Sequence, residues 1–205
     1  MKKKIIIGSS SFILPKNSSW NILSKKYIVN FAEYANYKEI FGNKNFDKIL
    51  CFCLFFEDFI NSDGIENKSN FILKLIETRL KNSNEPLIFA YANKDNFGVI
   101  KLAKNQSTDI LKLNKFQSIL KKLKKKYKNL YELNLNNEFA KAGTDNVYDD
   151  RNWYLLRCRL SMLGIRILAE SFYNIIYRIY NAASKVLILD CDNTLWGGVV
   201  GEEGL

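Results

Sequence analysis

FDKILCFCLF, residues 46–55, ends in seven consecutive apolar residues, Ile49–Phe55. A strand with one wet face alternates polar and apolar positions. This run does not, so it reads as a strand covered on both faces, as in a parallel sheet. Working outward, KKIII (3–7), YIVNFA (27–32), PLIFAYA (86–92) and LYELNL (130–135) read as further strands. Helices fill the gaps: about Ser18 to Lys25 with Ser18 as the cap, 66–82 with Ile72, Leu75, Ile76 and Leu80 at helical spacing, and 108–128 capped by Ser107 or Thr108. Alternating strands and helices predict a doubly wound parallel α/β sheet.

NEFAKAGTDNVYDD (137–150), rich in Asn, Asp and Gly, reads as loop. A long helix follows over about 160–181, with Leu163, Ile167, Leu168, Phe172, Ile175, Ile176 and Ile179 on one wide stripe. After NAAS, VLILD is a new buried strand. The expected organisation is one α/β domain over 1–181 and the start of a second at 185–205.

The chain has 205 residues and 47% hydrophobic content, enough for a real core. It has no run of about eighteen apolar residues, so no membrane span is expected. MKKKIIIGSSSF imitates a secretory signal, but its apolar part is short and serines follow at once, which fits a buried first strand. Cys51, Cys53, Cys158 and Cys191 match no zinc or disulfide spacing. Cys51 and Cys53 share a strand face and suit core packing; a reducing cytoplasm is the expected location. There is no histidine, which excludes Ser-His-Asp and Cys-His catalysis and histidine-ligated metal within this chain. Much of the +10 net charge sits in KKLKKKYK, 121–128. These lysines read as a solvated helix face, or as a dock for an acidic partner; no nucleic-acid module accompanies them.

VLILDCDNT places two aspartates, Asp190 and Asp192, at the carboxyl end of a buried strand, where ligands of α/β sheets gather. Asp190 could serve as a nucleophile and a ligand for a hard cation such as Mg²⁺. Asp192 could donate and later accept a proton. Thr194 would order the turn, and Gly197 and Gly198 permit a tight loop.

DCDNTLWGGVVGEEG (190–204), after its apolar strand, resembles the first motif of the haloacid dehalogenase (HAD) superfamily, and in particular the FkbH-like proteins of its subfamily IIIC. DDRNWYLLR (149–157), Ser161, Gly164 and the long helix into KVLILD resemble the segment preceding that domain. FkbH-like proteins often carry an N-terminal domain of SGNH-hydrolase-like, flavodoxin-like fold. The resemblance is strong over 149–205 and one of pattern before it. It implies Mg²⁺ as cofactor, with Asp190 as nucleophile and metal ligand. Asp192 would be the acid/base, its carbonyl also on the metal. It also implies phosphatase or glyceryl (acyl) transfer chemistry on a phosphorylated or acyl small molecule, with an acyl carrier protein as partner, in secondary-metabolite or surface-glycan synthesis.

The later HAD residues (a phosphoryl-holding Ser or Thr, a Lys, an acidic pair) are not in these 205 residues, so an incomplete HAD domain, inactive as it stands, is expected. SGNH esterases use a Gly-Asp-Ser serine after the first strand and a late histidine. Here Gly8 is followed by Ser9, Ser10 and Ser11, so both that Asp and the His are missing. Gly8, Ser9 and Ser10, with Thr194, are the candidates for holding a phosphate or acyl substrate, the first three through loop amides; a well-capped turn is the alternative. Trp153 and Tyr154, near Arg151 and Arg157, could line a pocket or pack between domains. Two functions stand side by side: part of a Mg²⁺-dependent enzyme, and a non-catalytic binding module for a carrier protein or acyl substrate.

Overall fold

A computed structural model describes residues 2–60, 65–94 and 106–181. The strands are β1 (Lys4–Ser9), β2 (Ile28–Phe31), β3 (Ile49–Phe55), β4 (Leu87–Ala92) and β5 (Leu130–Asn134). They form one parallel sheet in the order β2-β1-β3-β4-β5. The continuous apolar run of residues 49–55 is the middle strand, buried at every position. The edge strands β2 and β5 are only partly buried, as their mixed sequences require. Chain order reverses between β1 and β3, the switch point beside which α/β sheets open a crevice.

The helices are α1 (Asn21–Ser24), α2 (Tyr37–Ile40), α3 (Glu57–Ile60), α4 (Ile65–Asn82), α5 (Gln106–Lys126), α6 (Asn136–Ala142), α7 (Thr144–Val147), α8 (Asp150–Leu156) and α9 (Met162–Tyr180). On one sheet face, Leu50, Phe52, Leu54, Phe89 and Tyr91 pack with Ile72 and Ile76 of α4 and with Phe116 and Leu120 of α5. Phe52, Phe89 and Phe116 make a chain of rings at 5.5 and 5.9 Å. Cys51 and Cys53 alternate with this set and are wholly buried, as their strand positions predict. Arg79 of α4 is also wholly buried. It donates to the carbonyls of Asn45 (2.8 Å) and Lys48 (2.6 Å), pinning the turn before β3. Burial lowers its pKa to about 10, nearby Glu85 and Asp47 acting against the fall.

Four expectations are corrected. Asn17, not Ser18, caps the first helical turn, its side chain accepting the Ser19 amide. Residues 137–150 are not loop: α6 and α7 occupy most of them, because Phe139, Val147 and Tyr148 are buried and hold helical turns in place. Gly143, at φ 85°, separates the two helices. The helix expected at 108–128 begins at Gln106, so Ser107 and Thr108 lie inside it rather than capping it. The long helix starts at Met162, two residues late, because Leu160 instead bridges antiparallel to Tyr148.

By packing, the chain divides into Met1–Asn174 and Ile175–Leu205. The first unit holds the sheet and everything described below. Of the second, the described residues are the last turns of α9 and Asn181. The described residues contain no helix long and apolar enough to cross a membrane.

Candidate functional site

The first-domain candidates lie where β1 ends. The Ser10 amide donates to the Cys53 carbonyl at 3.0 Å, extending the pairing with β3 one residue beyond the end of β1. Gly8 sits beneath Ile40, where a Cβ would come within 2.8 Å of that side chain. Ser9 is buried, and its hydroxyl accepts the Ser11 amide at 3.2 Å. Of the three, Ser10 alone lines the cavity described next.

Ser10 Oγ accepts the Phe55 amide at 2.9 Å and donates to Asp58 Oδ2 at 2.6 Å. Ser11 Oγ donates to the same oxygen at 2.6 Å. Asp58 stands in α3, directly after β3. Its other oxygen, Oδ1, receives Nε and Nη2 of Arg159 at 2.8 and 2.6 Å. The pair is largely withdrawn from water, with side-chain exposures of 16% for Arg159 and 12% for Asp58. Local structure aims Arg159. Asp149 caps α8 through the amides of Arg151 and Asn152. Arg157 ends α8 in the left-handed conformation (φ 55°), and its carbonyl accepts the Phe12 amide at 3.0 Å. The Arg159 guanidinium then lies 3.8 Å from the centre of the Trp153 ring.

These groups floor a cavity of about 570 Å³. Trp153, Tyr37, Phe71 and Ile72 make its apolar walls, and Lys68 and Ala35 its rim. Ala35 is held at φ 58° while its amide bonds to the Ser9 carbonyl. Trp153 faces this cavity within the first unit, whereas Tyr154 is 79% exposed. Glu57 also lines the cavity, but its Oε1 accepts the Lys94 amide and its Oε2 is sealed from solvent with no hydrogen-bond partner. Burial raises the Glu57 carboxyl above the ordinary range, and the Lys94 amide works against the rise. Burial raises the Tyr37 and Tyr148 hydroxyls too, helped at Tyr37 by Asp58 and at Tyr148 by Glu57.

A serine becomes a nucleophile when a base can take its proton. Ser10 faces a carboxylate, a weak base toward an alcohol, that already accepts from a guanidinium and a second serine. No histidine exists in the chain to replace it. The arrangement can bind and orient a molecule, and among the described residues the base within reach of Ser10 Oγ is this carboxylate. Asp58, Arg159, Glu57 and Lys68 were not among the residues singled out by sequence. The signal for Asp58 was its place directly after the middle strand at the switch point; Arg159 carried none.

Asp190, Asp192 and Thr194, with Cys191, lie outside the described residues. Among the described residues no group of three or more His, Cys, Asp or Glu side chains could hold a metal ion.

No protein-family profile matches the chain. No curated protein matches it either. Solved structures do. A crystal structure of the N-terminal part of a Bacteroides fragilis protein, containing a phosphatase domain and complexed with Mg, superposes with a TM-score of 0.74 at 21% identity. That match covers 99% of this chain and 59% of the Bacteroides one, so this chain spans about three fifths of that structure. A lipolytic protein of the G-D-S-L family from Veillonella parvula matches at TM-score 0.51 and 12% identity, over 87% of this chain and 100% of its own. An SGNH-hydrolase-type protein from Slackia heliotrinireducens matches at 0.50 and 9%, over 85% and 98%. At these identities the likeness is one of fold: the five-stranded parallel sheet and its helices have the SGNH-hydrolase-like architecture.

Proposed function

We propose that the first unit is a binding domain built on the SGNH-hydrolase frame without its ester chemistry. In this reading the parent protein is an FkbH-like, Mg²⁺-dependent phosphatase or acyl (glyceryl) transferase. The observation that carries the binding reading is Asp58, whose carboxylate is bonded by Ser10, Ser11 and Arg159 at once. The serine that a hydrolase would free is here part of a fixed floor under a cavity of ligand size.

The enzymatic half of the proposal rests on DCDNT at 190–194 and on the Bacteroides structure, which contains a phosphatase domain and Mg. Asp190 would hold Mg²⁺ through its carboxylate and Asp192 through its backbone carbonyl, both hard oxygen donors. When bound, the ion would neutralise charge on a phosphoryl group. Asp190 would act as nucleophile and Asp192 would hold or release the proton, with Thr194 ordering the turn. The Lys-rich end of α5 is exposed and suits an acidic partner such as an acyl carrier protein. Cytoplasmic location belongs to the same proposal.

Two assays on the full-length gene product test it. Aryl phosphate hydrolysis should require Mg²⁺ and vanish in Asp190→Asn. Aryl ester hydrolysis should be absent in wild type and in Ser10→Ala alike. Ester turnover lost in Ser10→Ala would overturn the binding reading. Phosphatase activity indifferent to Asp190→Asn would overturn the enzymatic one.

A further inference from the structure

The charges lining the cavity are not equally available. Both oxygens of Asp58 are saturated, one by two serines and one by Arg159. Arg159 spends two of its donors there and lays its face on Trp153. Glu57 turns one oxygen to the Lys94 amide and keeps the other buried without a partner. Of the two cations lining the cavity, Lys68 is the one with no carboxylate partner among the described residues. It stands on α4 one turn before Phe71 and Ile72, which continue the apolar wall. A ligand entering this space meets apolar and aromatic walls, a floor in which Asp58 is fully engaged, and an ammonium with no carboxylate partner among the described residues.

We propose that the cavity takes an amphipathic anion: an apolar body against Trp153, Tyr37, Phe71 and Ile72, and a single carboxylate or phosphate-ester head on Lys68. This rests on the binding-domain reading above and names the ligand class. Discrimination comes from Lys68, because the Arg159 charge is already answered by Asp58. A cationic head would meet the lysine unfavourably, and a neutral head would leave it unanswered.

The test titrates the full chain with decanoate, monodecyl phosphate, decanol and decyltrimethylammonium, each below its micelle-forming concentration and in about 0.15 M salt, which screens diffuse surface fields. Calorimetry measures affinity, and the indole fluorescence change lost in Trp153→Phe reports on Trp153. At least one decyl anion should bind about ten-fold or more tighter than decanol, the worth of a charge-assisted contact. The cationic amphiphile should bind weakest. Whichever anion is tighter identifies the head as carboxylate or phosphate ester. Lys68→Gln should bring the anions down to the decanol level, Lys68→Arg should keep them, and Lys125→Gln, on the exposed face of α5, should change nothing. Decanol binding as tightly as the anions would overturn the inference and leave the binding domain standing. Equal losses in Lys68→Gln and Lys125→Gln would overturn it too, by revealing diffuse attraction to a basic surface. If no decyl compound of any charge binds, the binding-domain reading falls with it.

Discussion

Arg159 and Asp58 are 101 residues apart in the chain, and the guanidinium closes on one carboxylate oxygen at 2.6 and 2.8 Å. The contact joins the end of β3 to the segment after α8, with Ser10 and Ser11 drawing the end of β1 to the same carboxylate. Removing one partner of a withdrawn ion pair leaves the other charge unanswered. Asp58→Asn is expected to cost about 3 kcal/mol of unfolding free energy, read from urea midpoints. A loss under about 1 kcal/mol would mean the pair behaves as a surface bridge.

Ser10→Ala removes a donor from Asp58 and the acceptor of the Phe55 amide. The expected cost is about 1–3 kcal/mol, because a buried amide loses its partner. The same variant should leave ester hydrolysis at the background rate, so stability changes and chemistry does not.

Much of this site's position was legible in the sequence, while its partners were not. The seven apolar residues of β3 announce a middle strand, and a middle strand implies that the loops at its carboxyl end form the crevice. Ser10 is therefore where strand reading puts it. Asp58 sits in EDF, an acidic pair whose local pattern marks only a helix start. Arg159 pairs across more than half the described chain, and no periodicity encodes a contact that long. The helices α6 and α7 were hidden for a different reason. Asn, Asp and Gly dominate their composition, and the burial of Phe139, Val147 and Tyr148 outweighs that local preference.

Glu57 makes stability depend on pH. Its folded carboxyl pKa is raised by burial above the ordinary 4.5. The folded protein therefore prefers the protonated form. That contribution is complete below the unfolded pKa and is lost as pH rises through the folded one. Glu57→Gln imitates the protonated carboxyl and keeps an oxygen for the Lys94 amide. The variant should match wild type at about pH 4 and melt at a higher temperature at about pH 8. Equal melting temperatures at both pH values would contradict the burial argument.

Gly164, at the start of α9, meets the turn at Val147. A Cβ there would lie 2.5 Å from the Val147 carbonyl oxygen and 3.0 Å from its Cγ1. Alanine usually favours a helix over glycine, by about 1 kcal/mol. Here the clash is with backbone, so Gly164→Ala should destabilise by about 1–3 kcal/mol in thermal unfolding. A stabilised variant would show that α9 can start elsewhere.

Arg79→Met keeps most of the buried volume and removes the donors to the Asn45 and Lys48 carbonyls. Two abandoned acceptors should cost about 2–4 kcal/mol in chemical unfolding. Ligand affinity at the cavity should stay at the wild-type value, because Arg79 is not among its lining residues.

The buried thiols give the molecule a two-speed gauge of its own breathing. Cys51 and Cys53 lie in the middle strand, and burial pushes both thiols far from ionisation. Cys158 is equally hidden, but it sits in the turn beside Arg159, whose side chain lines the cavity. A thiol reagent can reach the first two only when the sheet itself parts. It can reach the third whenever the segment after α8 lifts away. The ratio of the two labelling rates, residue by residue, separates opening of the crevice from unfolding of the domain, and a bound ligand should slow the faster one.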